Sequence, residues 1–315
     1  MRIARVQLAD QVRTAVVDGE AVRLLAAGVR PLDLLSIPPA ARDRLVAART
    51  EAEIALADAR LAAPIEPASF RDFITFEEHV EVFRDPVTPE WYEAPQFYFT
   101  NPHTVLGPGD PVPVPAGEQR LDYELEVAAV LGRGGSDLTP EVAHECIAGY
   151  PIFNDWSARD IQFREMRIGL GPAKGKDFAN TLGPWIVTAD ELEPFRRDDR
   201  LHLDLRVSRN GEELGDDSLA NMAWSFGEMV AYASRSARVA PGDVLGSGTC
   251  GSGCLAELWG RSGTTEPRPV VAGDVVSLTV EGIGTLTSRV VEGVAAVPLP
   301  RARPADRRAR ARDAR

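Results

Sequence analysis

Leu121-Asp-Tyr-Glu-Leu-Glu-Val127 is the stretch from which the fold and the chemistry are first read. It opens an expected strand from Leu121 to Gly132, with two-residue alternation in its first half. Glu124 and Glu126 stand two apart, so on one strand both side chains point to the same face. Two carboxylates at that spacing repel unless something cationic lies between them. A divalent ion bound by hard oxygens meets that need. Most such pairs, however, only mark the wet face of an alternating strand.

Further strands surround this one. Gly149-Tyr-Pro-Ile-Phe153, Pro184-Trp-Ile-Val-Thr188, Leu201 to Val207 and Asp274 to Val280 carry the pattern, and Asn210-Gly211 signals a hairpin. Thr139-Pro140 reads as an N-cap followed by proline at the first helical position. Ser218 to Arg235 is expected to be helical. Residues 95–120 are dense in proline and glycine and read as loops and short strands. The class is mixed α+β, strand-dominated, with no βα alternation of a doubly wound sheet.

The first 25 residues read as strand, turn and strand around Asp18-Gly19, and Pro31 to Leu35 starts a short element. Ala40 to Leu61 fits a helix loosely. Ala62-Ala-Pro-Ile-Glu-Pro67 reads as a linker. A small N-terminal domain is therefore expected at 1–65 and a main domain at 66–297. Residues 298–315 are expected to be a disordered basic tail. From Arg301 on it has seven Arg and two Asp, so it carries +5 while the rest carries −17.

The 315-residue chain has 44% hydrophobic residues and a net charge of −12, a globular composition that argues against a nucleic-acid surface. No apolar run reaches membrane-spanning length, and the N-terminus has no apolar signal core. Three cysteines are too few for a disulfide framework, so a reducing cytoplasm is expected. The only lysines, at 174 and 176, stand out beside 33 arginines.

Four more motifs carry chemistry. Asn154-Asp-Trp-Ser-Ala-Arg-Asp160 is followed by Gln162, and Asp72 lies seven residues before His79. Gly175-Lys-Asp-Phe178 is a glycine-flanked lysine. Gly242-Asp-Val-Leu-Gly-Ser-Gly-Thr249 is followed by Glu257-Leu-Trp259. In combination with the first stretch, these resemble the fumarylacetoacetate hydrolase superfamily over residues 70 to 290.

The resemblance implies a curled mixed β-sheet roll and a homodimer. It implies metal ligation by Asp72, Glu124, Glu126 and Asp155. An all-carboxylate set suits Mg²⁺, Mn²⁺ or Ca²⁺ over zinc or copper. It also implies that His79 activates water while Glu257 orients it; Glu81, near the place used by shorter family members, is the reserve partner. Lys176 and Gln162 would be oriented donors to an oxyanion. Arg159 would face substrate or hold its loop by pairing with Asp160 or Asp155. Thr249 would donate to a substrate carboxylate. Lys174 is expected at the surface, His144 exposed on its helix, and Cys250 and Cys254 as packing residues. The chain departs from the fumarylacetoacetase pattern at Ile74, where that enzyme has tyrosine, and in its shorter N-terminal part. Arg84 is a candidate for the distal arginine.

The expected activity is metal-dependent hydrolysis of a carbon–carbon bond in a small 1,3-diketo acid, acylpyruvate or fumarylacetoacetate-like. The alternative is decarboxylation, isomerisation or hydration through the same enolate. A non-catalytic binding protein is the third reading; loss of a metal carboxylate would favour it, and all four are present.

Overall fold

The computed structural model describes residues 1–304, and all structural statements below concern those residues. Its main sheet has twelve strands. The central strand, Leu125–Leu131, is buried along its whole length. It pairs antiparallel with Ile147–Asn154 on one side and with Val244–Gly246 on the other. Beyond Val244–Gly246 lies Phe70–Phe73 in parallel, then Phe97–Phe99. Beyond Ile147–Asn154 lies Asn180–Thr188. A second sheet of five strands includes Asp204–Arg209, Val275–Val280 and Gly284–Val291.

Two apolar layers sandwich the main sheet. One contains Leu125, Val127, Ile152, Leu205, Leu278 and Met229, and so joins the second sheet and the helix Phe226–Ala233 to the first. The other contains Phe70, Ala128, Phe153, Leu34 and Val46 under two short helices. Alternation along Leu125–Leu131 distributes its residues between these layers, as a strand buried on both faces requires.

Three expectations change. The strand from Leu121 is broken: Leu121–Asp122 pairs with Ser157–Ala158, and only from Leu125 does the chain enter the main sheet. Glu124 therefore stands at the break and Glu126 inside the strand. The helix from Ala40 ends at Arg49, and Thr50–Ala55 is an edge strand against Ala21–Leu25. The β-branched residues Thr50 and Ile54 suit that extended pairing. Ser218 to Arg235 is helical only over Phe226–Ala233, after a short 3₁₀ turn at Leu219–Asn221. Ser225 and Glu228 form a reciprocal capping box that fixes this late start.

The first three strands do not fold against one another alone. Arg2–Gln7 pairs with Asn180–Thr188, so Val12–Asp18 and Ala21–Leu25 extend the main sheet. Pro298 to Pro304 are exposed and without regular structure. The rest of the expected basic tail, from residue 305, lies outside the described residues.

Phe153 is fully buried, and its ring lies 4.7 Å from that of Phe70, each two residues before a carboxylate, Asp155 and Asp72. Phe153→Ala should lower unfolding free energy by about 3–5 kcal/mol, measured by chemical denaturation. An unchanged midpoint would mean that this layer does not support the sheet.

Candidate active site

Four carboxylates meet where the central strands end. Asp72 comes from Phe70–Phe73, Glu126 from Leu125–Leu131, Glu124 from the break before it, and Asp155 from just beyond Ile147–Asn154. All four are buried, and one oxygen from each lies within 4.8 Å of the others. Strand register makes this meeting possible, since Asp72 is paired with Gly246 and Leu125 with Asn154. The backbone closes it further: Asp155 N–H donates to the Glu124 carbonyl at 3.3 Å, and Gly248 N–H donates to Glu126 Oε2 at 2.9 Å.

Two buried cations touch the cluster. Lys176 Nζ pairs with Asp155 Oδ2 at 2.5 Å and with Glu124 Oε2. Arg159 Nη2 lies 2.8 Å from Glu124 Oε1. Burial opposes ionisation of Glu124, but Lys176 and Arg159 outweigh it and hold that carboxyl below the usual range. Glu126 has no such cation. Burial, then the charges of Asp72 and Asp155, push it well above the usual range. Burial likewise raises Asp155 in spite of Lys176.

This arrangement fits a hard divalent cation. Asp72 Oδ1 and Asp155 Oδ1 are buried without a hydrogen-bond donor, an expensive state for a carboxylate oxygen unless a cation satisfies it. Gly246 keeps the space open: a Cβ there would collide with Asp72 Oδ1 and lie 3.0 Å from Glu126 Oε2.

A second pair lies beside the cluster. His79, on the helix Glu77–Phe83, has its Nδ1 2.6 Å from Glu257 Oε1. Glu257 is fully buried on the helix Leu255–Ser262. Its Oε2 accepts from Ser252 N–H at 2.7 Å and from Arg261 Nη2 at 3.0 Å. With Nδ1 engaged, Nε2 is the nitrogen left for other chemistry. Glu81 is exposed, so Glu257 and not Glu81 meets the histidine.

A cavity of about 610 Å³ joins these parts. Asp72, His79, Glu124, Arg159, Gln162, Lys176 and Thr249 line it, together with Ile74, Val80, Phe83, Trp91, Phe163 and Met166. The polar groups and the apolar side chains therefore share one chamber. Arg84 also lines it and is exposed.

Several details differ from expectation. Arg159 pairs with neither Asp160 nor Asp155; it pairs with Asp122 and Glu124, while Asp160 pairs with Arg120. Gln162 Oε1 accepts from Arg159 Nη1 at 3.0 Å. Thr249 Oγ1 is 3.5 Å from Glu126 Oε1, at the long limit of a hydrogen bond. His144 is half-buried, not exposed, because its helix packs on Gly227. Other expectations hold: Lys174 is exposed and pairs with Asp177, and Cys250 and Cys254 are buried in the apolar layer. Sequence reasoning passed over Tyr98, whose hydroxyl donates to Asp155, and Asp122. Tyr98 lies in a proline-rich stretch with no periodic signal. Asp122 stands in the Leu121–Val127 stretch, where Glu124 and Glu126 dominate the signal.

Gly246→Ala should abolish the rise in melting temperature produced by Mn²⁺, because the added methyl would occupy the space between Asp72 and Glu126, and should lower the metal-free melting temperature as well, because the same methyl meets the Phe153 ring at 2.9 Å. A full Mn²⁺ shift in this variant, read by differential scanning fluorimetry, would show that the cluster does not need that space.

Comparison with known proteins bears on the whole arrangement. A family model described as Fumarylacetoacetate (FAA) hydrolase C-terminal matches residues 68–291, and one described as Rv2993c-like, N-terminal matches residues 1–64. Protein Rv2993c of Mycobacterium tuberculosis is 33% identical over 296 residues, covering 92% of this chain and 98% of that protein. Oxaloacetate tautomerase YisK of Bacillus subtilis is 31% identical over 244 residues, covering 75% of this chain and 74% of that one. The solved 2-hydroxyhepta-2,4-diene-1,7-dioate isomerase of Mycobacterium marinum matches with a TM-score of 0.69 at 29% identity, covering 93% of this chain and 98% of that chain. The strand-dominated mixed fold and these matches agree, and the chain belongs to the fumarylacetoacetate hydrolase superfamily, with an Rv2993c-like N-terminal domain.

Proposed function

We propose that the protein hydrolyses a carbon–carbon bond in a 1,3-diketo acid, of the acylpyruvate or fumarylacetoacetate-like type. The observation that carries this reading is the 2.6 Å contact between His79 and Glu257 at the edge of the carboxylate cavity. A 2-oxo acid alone can be enolised by a single base. Cleavage of a diketone needs an activated water as well, and an oriented histidine is the group that provides one near neutral pH.

In this scheme Glu257 holds the Nδ1–H of His79, and Nε2 takes a proton from water. The water oxygen attacks the distal carbonyl, and the bond to the central carbon breaks. The products are a carboxylic acid and the enolate of a 2-oxo acid, which then takes a proton. Asp72, Glu124, Glu126 and Asp155 would hold the cation. Mg²⁺, Mn²⁺ or Ca²⁺ bound there would polarise the 2-oxo acid and offset negative charge on its enolate. Lys176 holds Glu124 ionised, pairs with Asp155 and lines the same chamber, where its ammonium can also face an oxyanion. Arg159 orients Gln162 toward the cavity. The chamber's apolar wall, from Ile74 to Met166, suits the acyl arm of such a substrate. The enzyme in this reading is a cytoplasmic homodimer acting on a soluble small molecule; no helix among the described residues is long and apolar enough to cross a membrane.

The second reading is isomerisation or tautomerisation of a 2-oxo acid. The tautomerase and isomerase named among the relatives favour it. The same residues would then move a proton on the enol without attack by water.

His79→Ala and Glu257→Gln separate the two. With acetylpyruvate as substrate and Mn²⁺ present, each should lower hydrolytic turnover by about 10²–10⁴-fold, watched as loss of enol absorbance. The double variant should be no worse than the slower single one, since the pair acts as a unit. Rapid hydrolysis by His79→Ala with Mn²⁺ still bound would reject the water-activating role. Rapid enol–keto exchange of oxaloacetate without acetylpyruvate hydrolysis by the wild type would select the second reading.

Glu126→Gln tests the cluster independently. It should weaken Mn²⁺ binding tenfold or more, about 1.4 kcal/mol at least. Calorimetry giving wild-type affinity would remove Glu126 from the ligand set.

A further inference from the structure

One buried carboxylate has no role in the scheme above. Asp122 is fully buried and makes five hydrogen bonds to groups from three parts of the chain. Its Oδ1 accepts from the backbone of Tyr123 at 2.8 Å and of Leu255 at 2.9 Å. Its Oδ2 accepts from the backbone of Ala256 at 3.0 Å and from Arg159 Nε and Nη2 at 3.0 and 2.6 Å.

Leu255 and Ala256 open the helix that carries Glu257. First-turn N–H groups have no partner inside a helix and are normally met by the N-cap side chain. The N-cap here is Cys254, which makes no such bond. Asp122, more than a hundred residues earlier, takes that place and adds a negative charge at the positive end of the helix dipole. Glu257 is the third residue of this helix, so whatever fixes its first turn fixes the carboxylate that holds His79. On its other side Asp122 grips Arg159, whose Nη2 is 2.8 Å from Glu124. One side chain thus bonds the helix of the dyad and the arginine that clamps the cluster.

We infer that Asp122 is a positioning residue that sets Glu257, and through it His79, against the carboxylate cluster. The inference rests on the role proposed above for the His79–Glu257 pair. A carboxylate is needed because four donors beyond its own neighbour converge on it, two of them from a guanidinium. An amide would present one acceptor oxygen and turn an N–H₂ group toward Arg159 or the helix N–H groups. A partner that orients a catalytic group in this way contributes about 10–100-fold to activity.

The test compares Asp122→Asn, Glu257→Gln and the double variant in the Mn²⁺-loaded enzyme, using acetylpyruvate hydrolysis and oxaloacetate enol–keto exchange as assays. Asp122→Asn should lower kcat about 10–100-fold with KM within about twofold. The double variant should be within about twofold of the slower single variant, because Asp122 acts through Glu257. Mn²⁺ affinity by calorimetry should stay within about threefold, since all four proposed ligands remain. In amide exchange, Leu255 and Ala256 should open about tenfold faster or more than in the wild type.

A wild-type kcat in Asp122→Asn, with Glu257→Gln slow, would overturn the inference and leave the dyad standing. Losses that multiply in the double variant would also overturn it, as would an Mn²⁺ affinity that falls as far as kcat. A wild-type rate in Glu257→Gln with Asp122→Asn slow would instead overturn the dyad. Should Asp122→Asn not fold, the wild-type exchange decides: slow Leu255 and Ala256 amides support the clamp, and amides as fast as free first-turn groups refute it.

Discussion

The structure is organised around negative charge taken out of water. Five carboxylates, Asp72, Asp122, Glu124, Glu126 and Asp155, lie buried within a few residues of the same strand ends, with only Lys176 and Arg159 as buried cations among them. Such a group of charges is strongly unfavourable in an apolar interior unless partners are supplied. Backbone amides from Tyr123, Gly248, Leu255 and Ala256 supply some of them. The free oxygens of Asp72 and Asp155 concentrate the remaining demand at one point, which is where a divalent cation would be held.

The surrounding fold answers that demand through geometry. Parallel pairing of Phe70–Phe73 with Val244–Gly246 places Asp72 beside a glycine, and antiparallel pairing of Leu125–Leu131 with Ile147–Asn154 brings Glu124 and Asp155 together. The two cations come from the segment after Asp155, where one short helix and one 3₁₀ turn return to the same cavity. The dyad arrives separately, on helices from distant parts of the chain that pack against each other. The His79–Glu257 pair and the carboxylate cluster, of different origin in the chain, thus touch one shared buried network through Asp122 and Arg159.

Much of this was legible in the chain. The alternating apolar runs announced the strands, and Asp18-Gly19, Asn210-Gly211 and Thr139-Pro140 marked their turns and a helix start because each reflects a local backbone preference. The separated carboxylate and histidine motifs were recognisable only in combination. What was not legible depended on tertiary partners. Thr50–Ala55 has a helix-compatible composition and becomes a strand because Ala21–Leu25 offers it an edge. Arg159 has aspartates one and four residues away along the chain, yet it pairs with Asp122 and Glu124. Asp122 itself looks like an ordinary strand residue until the helix start at Leu255 is folded against it.

The continuity of the main sheet has a consequence for how the chain could be divided. Asn180–Thr188 is hydrogen-bonded to Ile147–Asn154 on one edge and to Arg2–Gln7 on the other. If the first 64 residues were cut away, that second edge would lose its partner at Ile186 and Val187, while Val105–Leu106 would still cover Asn180 and Thr181. Such an edge recruits strands from other molecules. The N-terminal strand thus closes a short piece of sheet edge, and a chain lacking it would betray that loss in a light-scattering trace.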